Sequence, residues 1–253
     1  MASAGLEVAD SSSPADRSTP SSAGGMRVGL LGRFALTWDV APVGLAPGAQ
    51  RLLAYLALSG RAVKRDLAAG VLWPAVSEER AHMSLRSALT RLRARMPGVV
   101  RGEGPDVSLA VGVRVDLHQA QVVARGLLGP ADVRRRYGDA RAIAALSAEL
   151  LPGWYEEWVL LEAETWRQLR LHALEALAGL LADTGRFGNA VAAAQAAVAA
   201  DPLRESPHAA LIEAHMSEGN QSEALRAFER YRQRLGDTLG LEPTDRLRAL
   251  LPS

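Results

Sequence analysis

From Arg80 to Arg95 apolar residues recur at helical spacing, while the charged residues of the segment are all arginine. With Leu85 at the centre of a helical wheel, Ala81, Leu89, Leu92 and Met96 fall within ~40° of it. Arg80, Met83, Ser87, Thr90, Arg91 and Ala94 face the opposite way, with Arg86, Arg93 and Arg95 on the flanks. Such a helix can dock on a small core and offer its outer face to a duplex groove. Ser77 is a plausible N-cap for it, Glu78 and Glu79 suit the positive end of its dipole, and Pro97-Gly98 closes it.

The flanking pattern predicts a compact module. Arg27–Leu31 and Phe34–Trp38 are β-leaning runs, Asp39–Pro42 reads as a turn, and a third strand is expected near Val43–Leu45. A helix over Ala49–Ser59 crowds Leu52, Leu53, Leu56 and Leu58 together and stops at Gly60. A second helix, Arg65–Leu72, ends at Trp73-Pro74, where a buried indole would fix the turn into the arginine-rich helix. Val99–Arg101 and Val107–Val111 flank a Gly102–Pro105 turn and read as a β-hairpin. Three strands, three helices and a closing hairpin form a winged helix-turn-helix, with the hairpin as its wing.

The second half of the chain has a different period. Gly185 and Gly219 are 34 residues apart, and at the same offset Ala176 matches Ala210, Leu177 matches Leu211 and Ala190 matches Ala224. Glycine in the turn and small residues where paired helices cross is the tetratricopeptide pattern. Two such repeats need neighbours, which Leu117–Leu128, Asp139–Leu150 and a long helix over Trp158–Thr184 would supply, with Pro243–Leu250 as a cap. The expected fold class is therefore mainly α with a small β part. Residues 1–25 form a Ser-, Ala- and Gly-rich disordered tail, 26–116 the winged helix-turn-helix, and 117–253 an all-α tetratricopeptide-like domain.

Charge separates the halves in the same place. Met26–Leu117 holds thirteen Arg and Lys against seven Asp and Glu, net +6, whereas His118–Ser253 holds fifteen against eighteen, net −3. A basic front suits a polyanion and an acidic back suits protein contact. There is no cysteine, and none of the five histidines has metal-ligand spacing, so no metal or other cofactor is expected. No catalytic triad, phosphate loop or dinucleotide fingerprint is present, which argues against an enzyme. The longest apolar runs are too short to cross a bilayer, and a cytoplasmic, nucleoid-associated protein is expected.

The candidate DNA contacts follow from these faces. Arg80, Ser84, Ser87, Thr90 and Arg91 would meet the major groove, where an arginine can take a guanine at two atoms for ~1–3 kcal/mol of discrimination. Lys64 and Arg65, at the start of the second helix, would meet phosphates, as would Arg93 and the hairpin's Arg101. Arg86 and Arg95 stand to the side, where a polymerase or sigma contact fits as well. A plain solvated helix face competes with this reading, but no acid lies between Arg80 and Arg95 to pair with the arginines. Arg134-Arg135-Arg136 reads as a solvated loop, and Trp154, Tyr155, Trp158 and Trp166 as packing between the back-half helices. A tetratricopeptide adaptor with a protein-binding front half is the alternative of a different class.

Several runs of the chain resemble a known family. Arg51-Leu-Leu-Ala-Tyr-Leu-Ala-Leu, Val63-Lys-Arg-Asp-Leu, Leu72-Trp-Pro, Leu85-Arg-Ser-Ala-Leu-Thr-Arg-Leu-Arg and Val113-Arg-Val-Asp-Leu resemble the DNA-binding half of the Streptomyces antibiotic regulatory proteins. Leu150-Leu-Pro-Gly-Trp, Asp201-Pro-Leu-Arg-Glu, Gly219-Asn-Gln-Ser-Glu-Ala-Leu and Leu239-Gly-Leu-Glu-Pro resemble the bacterial transcriptional activator domain that follows it. The resemblance is to the short members without an ATPase domain. It implies an OmpR-like winged helix and a transcriptional activator of a secondary-metabolite (antibiotic) cluster. It also implies direct repeats near the minus-thirty-five promoter element, bound by a homodimer or tandem protomers. The implied partner is RNA polymerase holoenzyme, through the sigma factor's C-terminal region and the alpha and beta subunits. The hairpin departs from the family: Gly104-Pro105-Asp106 stands where a Gly-Tyr is common.

Overall fold

The computed structural model describes residues 25–252, so the tail expected over residues 1–25 lies, but for Gly25, outside the described residues. The chain opens with β1 (Met26–Gly29), β2 (Ala35–Trp38) and β3 (Ala41–Pro42), followed by α1 (Pro47–Ser59). Then come β4 (Val63–Lys64), α2 (Arg65–Leu72), α3 (Glu78–Arg95), β5 (Val100–Glu103), β6 (Asp106–Leu109) and β7 (Arg114–Val115). Eight helices complete it: α4 (Asp116–Leu127), α5 (Ala131–Tyr137), α6 (Ala140–Ser147), α7 (Glu157–Asp183), α8 (Phe187–Ala200), α9 (Glu205–Glu218), α10 (Gln221–Leu239) and α11 (Asp245–Arg248).

One sheet runs β3-β2-β1-β7 and a second runs β4-β6-β5. β1 alternates buried Met26 and Val28 with exposed Arg27, so one face of the first sheet meets the core, with α4 against β1, and the other meets water. The third strand lies earlier than the expected Val43–Leu45. Trp38 pairs directly with Ala41, so Asp39 and Val40 are the whole turn, both with positive φ (42° and 76°). Two-residue hairpin turns of this hand match the twist of the strands, which is why the chain accepts a strained valine there. β7 was not anticipated; it pairs parallel with β1, Val28 opposite Val115.

The first helix begins two residues before the expected Ala49, and the stop read at Gly60 acts as expected. Pro47 sits in the first turn of α1, and Gly60 (φ +62°) ends it in the left-handed region, its N–H donating to the Leu56 carbonyl at 3.2 Å. In the helical half α7 packs on α8, α8 on α9 and α9 on α10. Ala190, Ala193, Ala194 and Ala197 are buried along α8, letting it approach the leucines of α7 closely. The Thr244 hydroxyl and N–H both donate to the Glu205 carboxylate, fastening the terminal cap to α9.

The two halves share one continuous hydrophobic core. Backbone bonds sew them together: the Leu151 N–H donates to the Leu30 carbonyl (2.9 Å) and the Gly32 N–H to the Glu149 carbonyl (2.7 Å). Here the expectation for the tryptophans is corrected. Only Trp166 is fully buried within the helices, its indole N–H donating to the Ala148 carbonyl, while Tyr155 is 83 % exposed. Trp154 stacks on Phe34 and Trp158 meets Tyr55 edge-on, so these two rings close the seam with the front half instead of packing among the back-half helices. Arg51 and Glu156 add an ion pair across it at 3.2 Å. Arg134–Arg136 is corrected too, lying in α5 and not in a loop.

Candidate nucleic-acid interface

α3 buries Ala81, Leu85, Ala88, Leu89 and Leu92 against α1 and α2. Ala88 extends the expected apolar face by one position. Ser77 holds the extended conformation of an N-cap, but its side chain makes no capping bond; Glu78 and Glu79 occupy the first turn. Arg80, Ser87, Thr90 and Arg91 are exposed on the outer face, with Ser84 half-buried at its edge. Among the described residues, no carboxylate lies within ion-pairing distance of Arg80, Arg86 or Arg91. The Thr90 hydroxyl donates to the Arg86 carbonyl (3.0 Å), leaving its oxygen lone pairs outward.

The outer face of α3 also lines a groove of about 540 Å³ whose far wall is Gly48, Trp73 and Val76. Trp73 is half-buried instead of fully buried, and its ring edge would lie 3.7 Å from a Cβ on Gly48. The indole thus braces the turn between α2 and α3 against the start of α1. Arg80, Met83, Ser84, Ser87 and Arg91 line this groove, whereas Thr90 lies outside it.

The remaining basic residues gather at the hairpin. Gly104 (φ +55°) and Pro105 form a two-residue turn, shorter than the Gly102–Pro105 turn expected, and the ladder ends at Leu109. The Arg65 N–H donates to the Pro105 carbonyl at 2.8 Å, pinning the wing tip to the start of α2. Lys64 is exposed there, opposite Asp106 in the β4–β6 ladder. A Cβ on Gly102 would sit 2.6 Å from the Arg65 Nη2 and 2.9 Å from the Arg93 Nη2, so both guanidinium groups lie over the bare backbone of the wing. Arg101 is the next residue along the same strand and is exposed. The role of Gly102 was missed in the sequence, although a glycine inside a strand signals close approach of another group.

Arg86 and Arg95 stay apart from both clusters. The Arg95 Nε donates to the Gly44 carbonyl (3.3 Å), which ties the end of α3 to the loop before α1. His82 faces Asp66 and Glu78 at 3.7 and 3.8 Å, an acidic setting that suits a surface histidine better than a phosphate ligand. Among the described residues no group of three or more acidic or histidine side chains could hold a metal, and no helix is long and apolar enough to cross a membrane.

Comparison with known proteins agrees with this architecture. Residues 130–252 match the bacterial transcriptional activator domain. The chain is 30 % identical over 244 residues to the regulatory protein AfsR of Streptomyces coelicolor, a match covering 90 % of this chain but only 24 % of AfsR. It superposes on Mycobacterium tuberculosis EmbR, solved with a low-affinity phosphopeptide, with a TM-score of 0.70 and 27 % identity, over 89 % of this chain and 63 % of that one. With a winged helix leading into the residues that match that domain, the chain is similar in sequence and architecture to bacterial transcriptional regulators, and it spans about a quarter of the length of AfsR.

Proposed function

We propose that the chain is a sequence-specific DNA-binding activator in which α3 enters the major groove. The observation that carries this is the division of α3: one face seals the core, and the other presents Arg80, Ser87, Thr90 and Arg91 with no acidic neighbour. Arg80 and Arg91 would take base edges, with Ser84, Ser87 and Thr90 between them. Lys64, Arg65, Arg93 and Arg101 would lie along phosphates, fixing register without reading sequence. Lacking an aromatic tip, the wing would follow the backbone through Arg101.

In this reading the front module extends from Met26 to Asp116, and the helical half joins protomers on direct repeats near the minus-thirty-five element. That half, together with Arg86 and Arg95, would engage the polymerase holoenzyme through the C-terminal region of its sigma factor and the alpha and beta subunits. Control of a secondary-metabolite cluster from a cytoplasmic, nucleoid-associated position follows from the family resemblance.

Gel shift on a promoter repeat and on random duplex separates the two kinds of contact. Arg91→Ala should weaken specific binding about tenfold or more while leaving random DNA nearly unaffected. Lys64→Ala should weaken both alike and flatten the salt dependence by about one unit of slope. Identical behaviour of the two variants would refute base reading by α3.

A further inference from the structure

Away from the DNA face, α4, α5 and α6 enclose an open cavity of about 490 Å³ above Leu31. That volume lies within the range of small-molecule sites, roughly 300–1,000 Å³. Its walls are apolar: Val123 comes from α4, Ala142 and Ala145 from α6, and the ring of Tyr137 from α5. The Tyr137 ring has its place because Gly126 has no side chain; a Cβ there would collide with it.

The polar groups at the rim differ in what they are already doing. Asp116 accepts backbone N–H groups from Leu30, Leu31 and Leu117 at 2.8, 3.1 and 2.7 Å, and so is consumed in holding the seam between the halves. Asp139 caps α6, accepting from the Arg141 and Ala142 N–H groups at 2.9 and 3.1 Å. Arg136 and Arg141 are exposed at the mouth, and among the described residues neither guanidinium forms an ion pair or a hydrogen bond. An apolar recess rimmed by two uncommitted guanidinium groups complements a ligand with one anionic head and a hydrocarbon body.

We infer that the cavity between α4, α5 and α6 is a binding site for an amphiphilic carboxylate, its chain against Val123 and Ala145 and its carboxylate between Arg136 and Arg141. The occupant would rest on Leu31, beside the backbone bonds that join the two halves, so it would touch the seam of the molecule. The site is separate from α3, and its binding is measured without DNA.

Calorimetric titration of the full chain with decanoate, decanol and decylamine, each below its aggregation threshold, tests the site. Decanoate should bind saturably with one molecule per chain, about tenfold or more tighter than decanol, and decylamine more weakly still. Arg136→Gln combined with Arg141→Gln, both on the surface, should erase the preference for decanoate over decanol. Ala145→Phe, which fills the recess, should abolish binding. Absence of saturable decanoate binding, equal affinity for decanol, preference for decylamine, or an unchanged preference in the double arginine variant would each overturn the proposal.

Discussion

Asp116 is the residue on which the joint between the two halves most depends. Its carboxylate accepts three backbone N–H groups, two of them from Leu30 and Leu31 at the end of β1, more than eighty residues away in sequence. Leu30 is fully buried, so in Asp116→Ala its N–H is left without a partner and without access to water. A buried unsatisfied donor costs about 1–3 kcal/mol, and each hydrogen bond to a charged group contributes about 1.5–3 kcal/mol. The N–H groups of Leu31 and Leu117 lie nearer the surface and recover part of their loss from water. The net expected destabilisation is about 3 kcal/mol, and about half that for Asp116→Asn, whose amide oxygen accepts but whose NH2 opposes a donor. For a chain of this size such a loss corresponds to a fall in melting temperature of about 6–12 °C. Urea unfolding followed by circular dichroism measures the total. Tryptophan fluorescence, through Trp154 and Trp158, reports whether the seam opens first. A loss below about 0.5 kcal/mol for Asp116→Ala would refute the reasoning, since it would mean that the Leu30 N–H finds another acceptor.

Three further outcomes are expected. His208 is buried against Tyr231 and donates to the Pro202 carbonyl (3.0 Å), and burial pushes its pKa below the usual 6.5 despite that bond. The unfolded chain then takes up a proton near pH 6.5 that the folded one refuses, so stability should fall as pH drops below about 6.5. Urea titrations at stepped pH should show this slope flattened in His208→Phe. Gly102→Ala should change stability by under about 0.5 kcal/mol, because the atoms it meets are the ends of flexible arginines; by displacing Arg65 and Arg93 it should weaken binding to specific and random DNA alike. Val40→Gly should stabilise the chain by about 1 kcal/mol in thermal melts, because it relieves a β-branched residue at φ 76° on an exposed turn.

Much of the fold was legible because local signals and burial agreed. Arg65–Leu72 forms the helix that its bounds in the sequence predicted, and Gly60, Gly185 and Gly219 mark turns at positive φ that glycine makes most easily. The outer face of α3 was legible for the same reason, since its apolar stripe is regular and its arginines fall off that stripe. What could not be read depended on contacts distant in sequence. β7 exists as a strand only because β1 lies beside it, and nothing local in Arg114–Val115 marks that pairing. The β2–β3 turn was misplaced because Val40 is a residue that local preference excludes from positive φ. Trp154 and Trp158 were assigned to the helical half because tryptophans close in sequence suggest a shared partner, whereas theirs are Phe34 and Tyr55. Arg65 and Arg93 come together only through the wing folding under them at Gly102.

Methylation of guanine N7 on a footprinted promoter repeat tests the central claim most directly, because that atom lies in the major groove alone. With the protein bound, guanines in each repeat should be protected, and in Arg91→Ala one of them should become reactive while the rest of the footprint persists. Guanines that stay fully reactive beneath an intact footprint would show that the outer face of α3 does not read bases.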